Sequence, residues 1–195
     1  MTKITLETRI LDATKACCEK WGPSKTTADD IAAAAGVSRA TLYRVFPGGK
    51  DVVFDALRVR ELEEFFGQLR AGLADAHTLE DVVVGAVVTA TRELRADDHL
   101  AAMMASAPGD ALGQLTVAGL PRIVRMATVT LTPFVSPFLA RDAARRLIDV
   151  LARLTISYFL APSDDLDLGD PDQARTLLRP LLEALTGQYS LEGMP

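Results

Sequence analysis

Aromatic residues are scarce in this 195-residue chain, at 6% of positions with a single tryptophan, and apolar runs at period two are scarcer still. That scarcity weighs against β-sheet, because half-buried strands need β-branched and aromatic side chains in alternation. Alanine and leucine abound instead, and both favour helix. Cysteine is limited to Cys17 and Cys18, adjacent on an expected helix. Neighbouring helical residues point apart, which suits neither a structural disulfide nor a tetrahedral metal site. The pair reads as reduced packing residues. No apolar run reaches the roughly 20 residues of a membrane span. The polar start lacks a signal-peptide core. A cytoplasmic protein with no membrane partner is expected.

Catalytic signatures are missing as well. The two histidines, His77 and His99, lie in or beside polar segments and form no HExxH pair. No nucleophile elbow, Walker loop or dinucleotide fingerprint occurs. The acidic loop 164–170 places Gly169 sixth from Asp164, as a calcium loop would. Leu166 and Leu168, however, occupy the third and fifth places, and Arg175 stands at the twelfth where glutamate is needed. A solvated linker is the better reading. The sequence thus argues against an enzyme and calls for no cofactor and no metal.

What is present is a charge asymmetry and a motif that falls on its basic side. The chain carries a net charge of -5. Residues 1–50 hold eight Lys or Arg against five Asp or Glu, whereas residues 51–195 hold thirteen against twenty-one. The positive excess lies where phosphate would have to be attracted. Within it, Thr26 and Thr27 can cap a helix beginning near Ala28, with Asp29 and Asp30 at the positive end of its dipole. Gly36 ends that helix, and Ser38 caps a second whose apolar face is Leu42, Val45 and Phe46. Small Ala32 opposite Leu42 permits the close crossing of a helix-turn-helix, whose second helix enters the DNA major groove. Leu6, Ile10, Ala13, Cys17 and Trp21 mark a preceding helix that would cover this core.

The run Ala35-Gly36-Val37-Ser38-Arg39-Ala40-Thr41-Leu42-Tyr43-Arg44-Val45-Phe46, with Lys50 after a short loop, resembles the DNA-binding domain of the TetR family of bacterial transcriptional regulators. The sequence match covers roughly the first third of the chain; beyond it only the layout is similar. On the second helix, Arg39 and Ala40 are positioned to read bases, since arginine pairs bidentately with guanine and an alanine methyl meets a thymine methyl. Arg44 suits a base or a phosphate. The resemblance implies phosphate anchors at Thr26, Thr27, Ser38, Thr41, Tyr43 and Lys50, contacts that set register without carrying sequence information. Val45 stands where the family often has a histidine, and the loop before Lys50 is one residue longer than its commonest form.

The expected architecture is all-α, with a helix-turn-helix domain over residues 1–50 and a larger helical domain over 51–195. Helices are expected from Lys50 to about Gly72, over Leu79–Ala96 and Asp98–Ala107, over Ile123–Thr132 and Asp142–Leu160, and over Asp172–Leu185 with a kink at Pro180. Pro108-Gly109 and Leu120-Pro121 read as punctuation. One short recognition helix reads few bases, so a homodimer on two half-sites of double-stranded DNA is expected. The last two helices offer its surface. Leu147, Val150, Leu151, Leu154 and Tyr158 spread over one, and Leu178, Leu181, Leu182 and Leu185 over the other. The resemblance implies that these helices pair as a four-helix bundle. It also implies a small-molecule pocket in the middle of the chain. Candidates are Met103, Met104, Met126 and Thr130, with Phe134, Phe138, Tyr158 and Phe159. Few charges fall among them, so the effector would be hydrophobic. A rival reading is a helical ligand-binding or interaction protein that no longer binds DNA.

Overall fold

The computed structural model describes residues 5–191, without the side chains of residue 110 and residues 185–191. Among the described residues there are ten α-helices and no strand. They are α1 (Leu6–Trp21), α2 (Ala28–Ala34), α3 (Arg39–Val45), α4 (Lys50–Ala71), α5 (Leu79–Ala96), α6 (Asp98–Ser106), α7 (Pro108–Leu115), α8 (Leu120–Val135), α9 (Arg141–Leu160) and α10 (Pro171–Leu191). The chain packs as two compact units, one up to Glu64 together with Asp97–Ala118, the other Phe65–Ala96 with the residues from Gly119 onward.

In the first unit, α1 begins at Thr5, whose side chain accepts the Thr8 N–H at 3.1 Å. Its apolar stripe places Ile10, Leu11, Ala13, Cys17 and Cys18 inward. Ile10, Ile31, Ala32, Ala35, Leu42, Phe46, Val53 and Leu57 close one core from α1 to the start of α4. Burial of a side chain such as Ile31 or Leu42 contributes about 1.5–3 kcal/mol. Trp21 departs from the expected stripe and is 41% exposed. It is the last residue of α1, where Gly22 turns the chain at φ 79°, and its indole lies under the Lys20 ammonium instead. Burial pushes the Cys18 thiol up to about 11, so neither thiolate nor metal chemistry is favoured there.

α6 packs on α1 and α7 on α6. α7 was not expected, since Pro108 read as punctuation. Proline at a helix's first position loses nothing, because that N–H has no partner within the helix anyway, and Pro108 opens α7 in this way. His99, expected in polar surroundings, is buried on α6. Its Nε2 lies 3.9 Å from Glu61 of α4, whose other oxygen is 3.6 Å from Lys15 of α1.

In the second unit α8 packs along α9, and α5 lies against both α9 and α10. α5 spans the residues its periodicity predicts and buries Val82, Val83, Val84, Ala86, Val87 and Val88. Ala143, Ala144, Leu147, Ile148 and Leu151 of α9 and Ala174, Leu178 and Leu182 of α10 complete the core. α10 carries Pro180 within it without ending. Pro180 and Thr176, four residues earlier, are both exposed, so the carbonyl left without a donor can be hydrated.

The acidic loop is a solvated linker only in its first part. Residues 161–165 are exposed, but Leu168 is buried to 1%. The Asp167 carboxylate accepts the Gly169 N–H and the Arg95 guanidinium, both at 2.7 Å, while Arg92 donates to the Gly169 carbonyl at 2.8 Å. These bonds, the backbone one first, hold the Asp167 carboxyl below the usual range. The Asp167 and Asp170 carboxylates bond to their own chain, and Leu168 supplies the apolar anchor. No cluster suited to a metal ion occurs among the described residues.

Candidate nucleic-acid interface

The helix-turn-helix is built by three local devices. Thr27 and Asp30 form a capping box at the start of α2: the Thr27 side chain accepts the Asp30 N–H at 3.2 Å, and the Asp30 carboxylate accepts the Thr27 N–H at 2.9 Å. The Thr27 hydroxyl first, then its backbone N–H, holds the Asp30 carboxyl below its usual range. At the other end Gly36 takes φ 63°, and the Val37 N–H bonds back to the Ala32 carbonyl at 2.9 Å while the Gly36 N–H bonds to Ala33 at 3.1 Å. A Cβ at Gly36 would meet nothing within 4 Å, so the glycine is required by its dihedral angle alone. Ser38 then caps α3, accepting the Thr41 N–H at 3.1 Å.

Leu42 and Phe46 are buried and Val45 packs beside them, which fixes the face that α3 turns outward. Arg39, Ala40, Tyr43 and Arg44 are exposed on it, and Thr41 lies half-buried at its flank. Ser38 and Thr27 are exposed at the N-termini of α3 and α2. Lys50, half-buried at the start of α4, sets its ammonium 5.1 Å from the Phe54 ring. Thr26 is placed otherwise than expected. It is fully buried, and both its hydroxyl and its N–H donate to the Gly22 carbonyl, at 2.9 and 3.2 Å. It pins the turn between α1 and α2 and presents no donor to a phosphate.

The outward residues also contact one another. The Arg39 Nη1 donates to both Asp29 oxygens, at 3.1 and 3.3 Å, and the guanidinium carbon lies 5.5 Å from the Tyr43 ring. Hydrogen bonding to Tyr43, then the Asp29 charge, raises the Arg39 pKa further. Tyr43 is itself backed by the loop: Gly49 has φ 69°, and a Cβ there would come within 2.7 Å of the tyrosine ring. A separation of ten residues across a turn carries no periodic signal, so sequence pattern does not mark Asp29 as a partner of α3.

The other expected sites divide between the units. Met103 is buried and Met104 half-buried on α6 in the first unit. Met126, Thr130 and Phe134 on α8 and Phe138, Tyr158 and Phe159 beyond it belong to the second, where Thr130 is buried and Phe138 is 41% exposed. A cleft of about 280 Å³ in the second unit is lined by Gly72, Asp75, Asp81, Val88, Thr89 and Arg175 among others, and by none of these residues. On α9 and α10, Leu147, Leu151, Leu178 and Leu182 are buried within the unit. Val150 is 50% and Leu181 44% exposed, with Leu154 and Tyr158 half-buried. The Leu185 side chain lies outside the described residues. No helix among those described is long and apolar enough to cross a membrane.

Residues 10–57 match the family described as bacterial regulatory proteins, tetR family. Among solved structures, the chain is similar to the TetR family repressor AlkX of Dietzia sp. strain DQ12-45-1b, implicated in biodegradation of n-alkanes. They share 25% identity and a TM-score of 0.66 over 93% of this chain and 95% of that one. A TetR-family transcriptional regulator of Streptomyces coelicolor shares 26% identity and a TM-score of 0.58, over 94% and 99% of the two chains. The fatty acid degradation regulator FadR of Bacillus halodurans, at 20% identity and a TM-score of 0.56 over 95% and 97%, shares the fold. Comparison with curated protein sequences gives no match.

Proposed function

The chain belongs to the TetR family of bacterial regulatory proteins, and from that premise we propose a ligand-responsive repressor that binds a palindromic operator as a homodimer and is released by a hydrophobic small molecule. The observation that carries the DNA-binding part is the outer face of α3. Arg39, Ala40, Tyr43 and Arg44 point to solvent there while Leu42 and Phe46 fix the helix on its core. Arg39 and Ala40 read base edges, and Arg44 reads a base or a phosphate. Thr27, Ser38, Thr41, Tyr43 and Lys50 hold phosphates. The DNA-binding part is assigned to the helices up to the start of α4, whose Val53 and Leu57 carry its core past the boundary at residue 50 expected from the sequence, and ligand binding and dimerisation to the second unit.

Dimerisation is assigned to the outward apolar set Val150, Leu154, Tyr158 and Leu181, which continues the buried face of α9 and α10 onto the surface. The apolar residues of α8 and the end of α9 favour an uncharged effector. That AlkX is a repressor implicated in n-alkane degradation supports the same class. An effector releases DNA only by binding the DNA-incompetent state more tightly.

Selection of bound duplexes from a random pool, at two salt concentrations, tests the reading. Recovery of a near-palindrome whose affinity falls steeply with salt is expected, because each phosphate contact releases counterions. No enrichment at low salt by effector-free protein would sink it in favour of a helical ligand-binding protein that has lost DNA recognition.

A further inference from the structure

Resting on the DNA-binding reading of α3, we propose that Asp29 is a specificity-determining residue: it positions the Arg39 guanidinium against Tyr43 for base reading. Three side chains on one exposed surface meet at Arg39. Asp29, in the first turn of α2, takes the Nη1 end of the fork at 3.1 and 3.3 Å. Tyr43, one turn along α3, holds the guanidinium plane at 5.5 Å. The tyrosine cannot retreat, because its ring rests against Gly49, where even a Cβ would lie 2.7 Å away. Arg39 is therefore held from two sides by groups that different elements fix.

The pair contributes little to stability, since its side chains are 61% and 65% exposed and a solvated ion pair of this kind is nearly neutral. Its position is informative for another reason. A carboxylate on a surface that approaches phosphate opposes binding, so its charge weakens affinity for every sequence. What it gives in return is order. A free arginine loses much rotamer freedom when it binds, and holding it beforehand removes that cost. With Nη1 held by Asp29 and the guanidinium braced by Tyr43, the fork is presented in one orientation to a single guanine edge. Asp29 thus trades general affinity for discrimination at the base pair that Arg39 reads.

The test compares duplex selection profiles and affinity for random-sequence duplex among the full-length wild type, Asp29→Asn, Asp29→Glu and the charge control Asp51→Asn. Asp29 is exposed, so the variants should melt with the wild type. Asp29→Asn is expected to flatten preference at one base pair per half-site by about tenfold and to raise affinity for random duplex. Asp29→Glu should restore part of the preference, and Asp51→Asn should raise random-duplex affinity without altering the profile. An unchanged or sharpened profile for Asp29→Asn, or the same flattening from Asp51→Asn, would overturn the proposal. If the wild type itself enriches no sequence, the DNA-binding reading fails, and that outcome is distinct from a flat comparison among variants that all bind.

Discussion

Arg39 and Lys50 carry the same charge, yet the chemistry assigns them different roles that a substitution separates. Arginine presents a planar fork able to match a guanine edge, whereas lysine is a point charge that attracts any phosphate. Arg39→Ala should therefore relax base preference at one position and cost about 1–3 kcal/mol on the selected operator, read by titrating matched and mismatched duplexes. Lys50→Ala should weaken all duplexes alike and reduce the salt slope by about one, as a salt series would show. Equal loss on matched and mismatched DNA for Arg39→Ala would mean that it, too, only holds a phosphate. Leu42 acts from beneath: it is fully buried, and Leu42→Ala should destabilise the first unit by about 2–5 kcal/mol in thermal unfolding.

The short helices α2 and α3, seven residues each, are too brief to persist alone. Their ends hold them: the Thr27–Asp30 capping box, the Gly36 turn and the Ser38 cap. Ser38→Ala should lower stability by about 1 kcal/mol and weaken DNA binding through fraying of α3. Helical CD during melting and an operator titration check the two halves of that expectation. For α9 and α10 the informative residues are those the unit leaves outside. Replacing Val150 and Leu181 with glutamate places charge on the proposed dimer face without touching Leu147 or Leu178. A monomer by light scattering is expected; a dimer of unchanged mass would remove that face from consideration.

The helices of the first unit share a buried polar cluster, and its consequence concerns the stability of the unit as a whole. Glu61 of α4 faces Lys15 of α1, Arg60 of its own helix, Asp97 at the N-cap of α6 and His99 of α6, and His99 in turn feels Glu19 of α1. Burial raises its pKa from 4.5 to about 7, with Lys15 opposing and Asp97 adding to the shift. The folded protein thus holds a proton that the unfolded chain has released between those values, so this contribution is lost as pH rises from 4.5 to 7. His99 works the other way: burial lowers its pKa below 6.5, so its contribution is lost as pH falls beneath that value. Glu61→Gln should flatten the fall in unfolding free energy between acidic and mildly alkaline pH by about 2–3 kcal/mol, measured by denaturant titration across that range. Equal pH dependence in the two proteins would mean that Glu61 titrates as an exposed carboxylate.

All-helical architecture, the helix-turn-helix and its outward Arg39, Ala40, Tyr43 and Arg44 were legible in the sequence, because caps, turn glycine and apolar spacing are local signals a few residues long. The bounds of α5 followed in the same way from its own periodicity. Tertiary packing decided what local pattern could not express. Thr26 and Trp21 exchanged their expected places, the threonine inward to bond Gly22 and the tryptophan outward beyond the last turn of α1. Arg92 and Arg95 tied an acidic loop to α5 with its Leu168 inward, and His99 went inward to Glu61. Asp29 came to rest on Arg39 across the glycine turn. Each of these depends on which surfaces meet, and residues far apart along a chain meet only after the helices between them have packed.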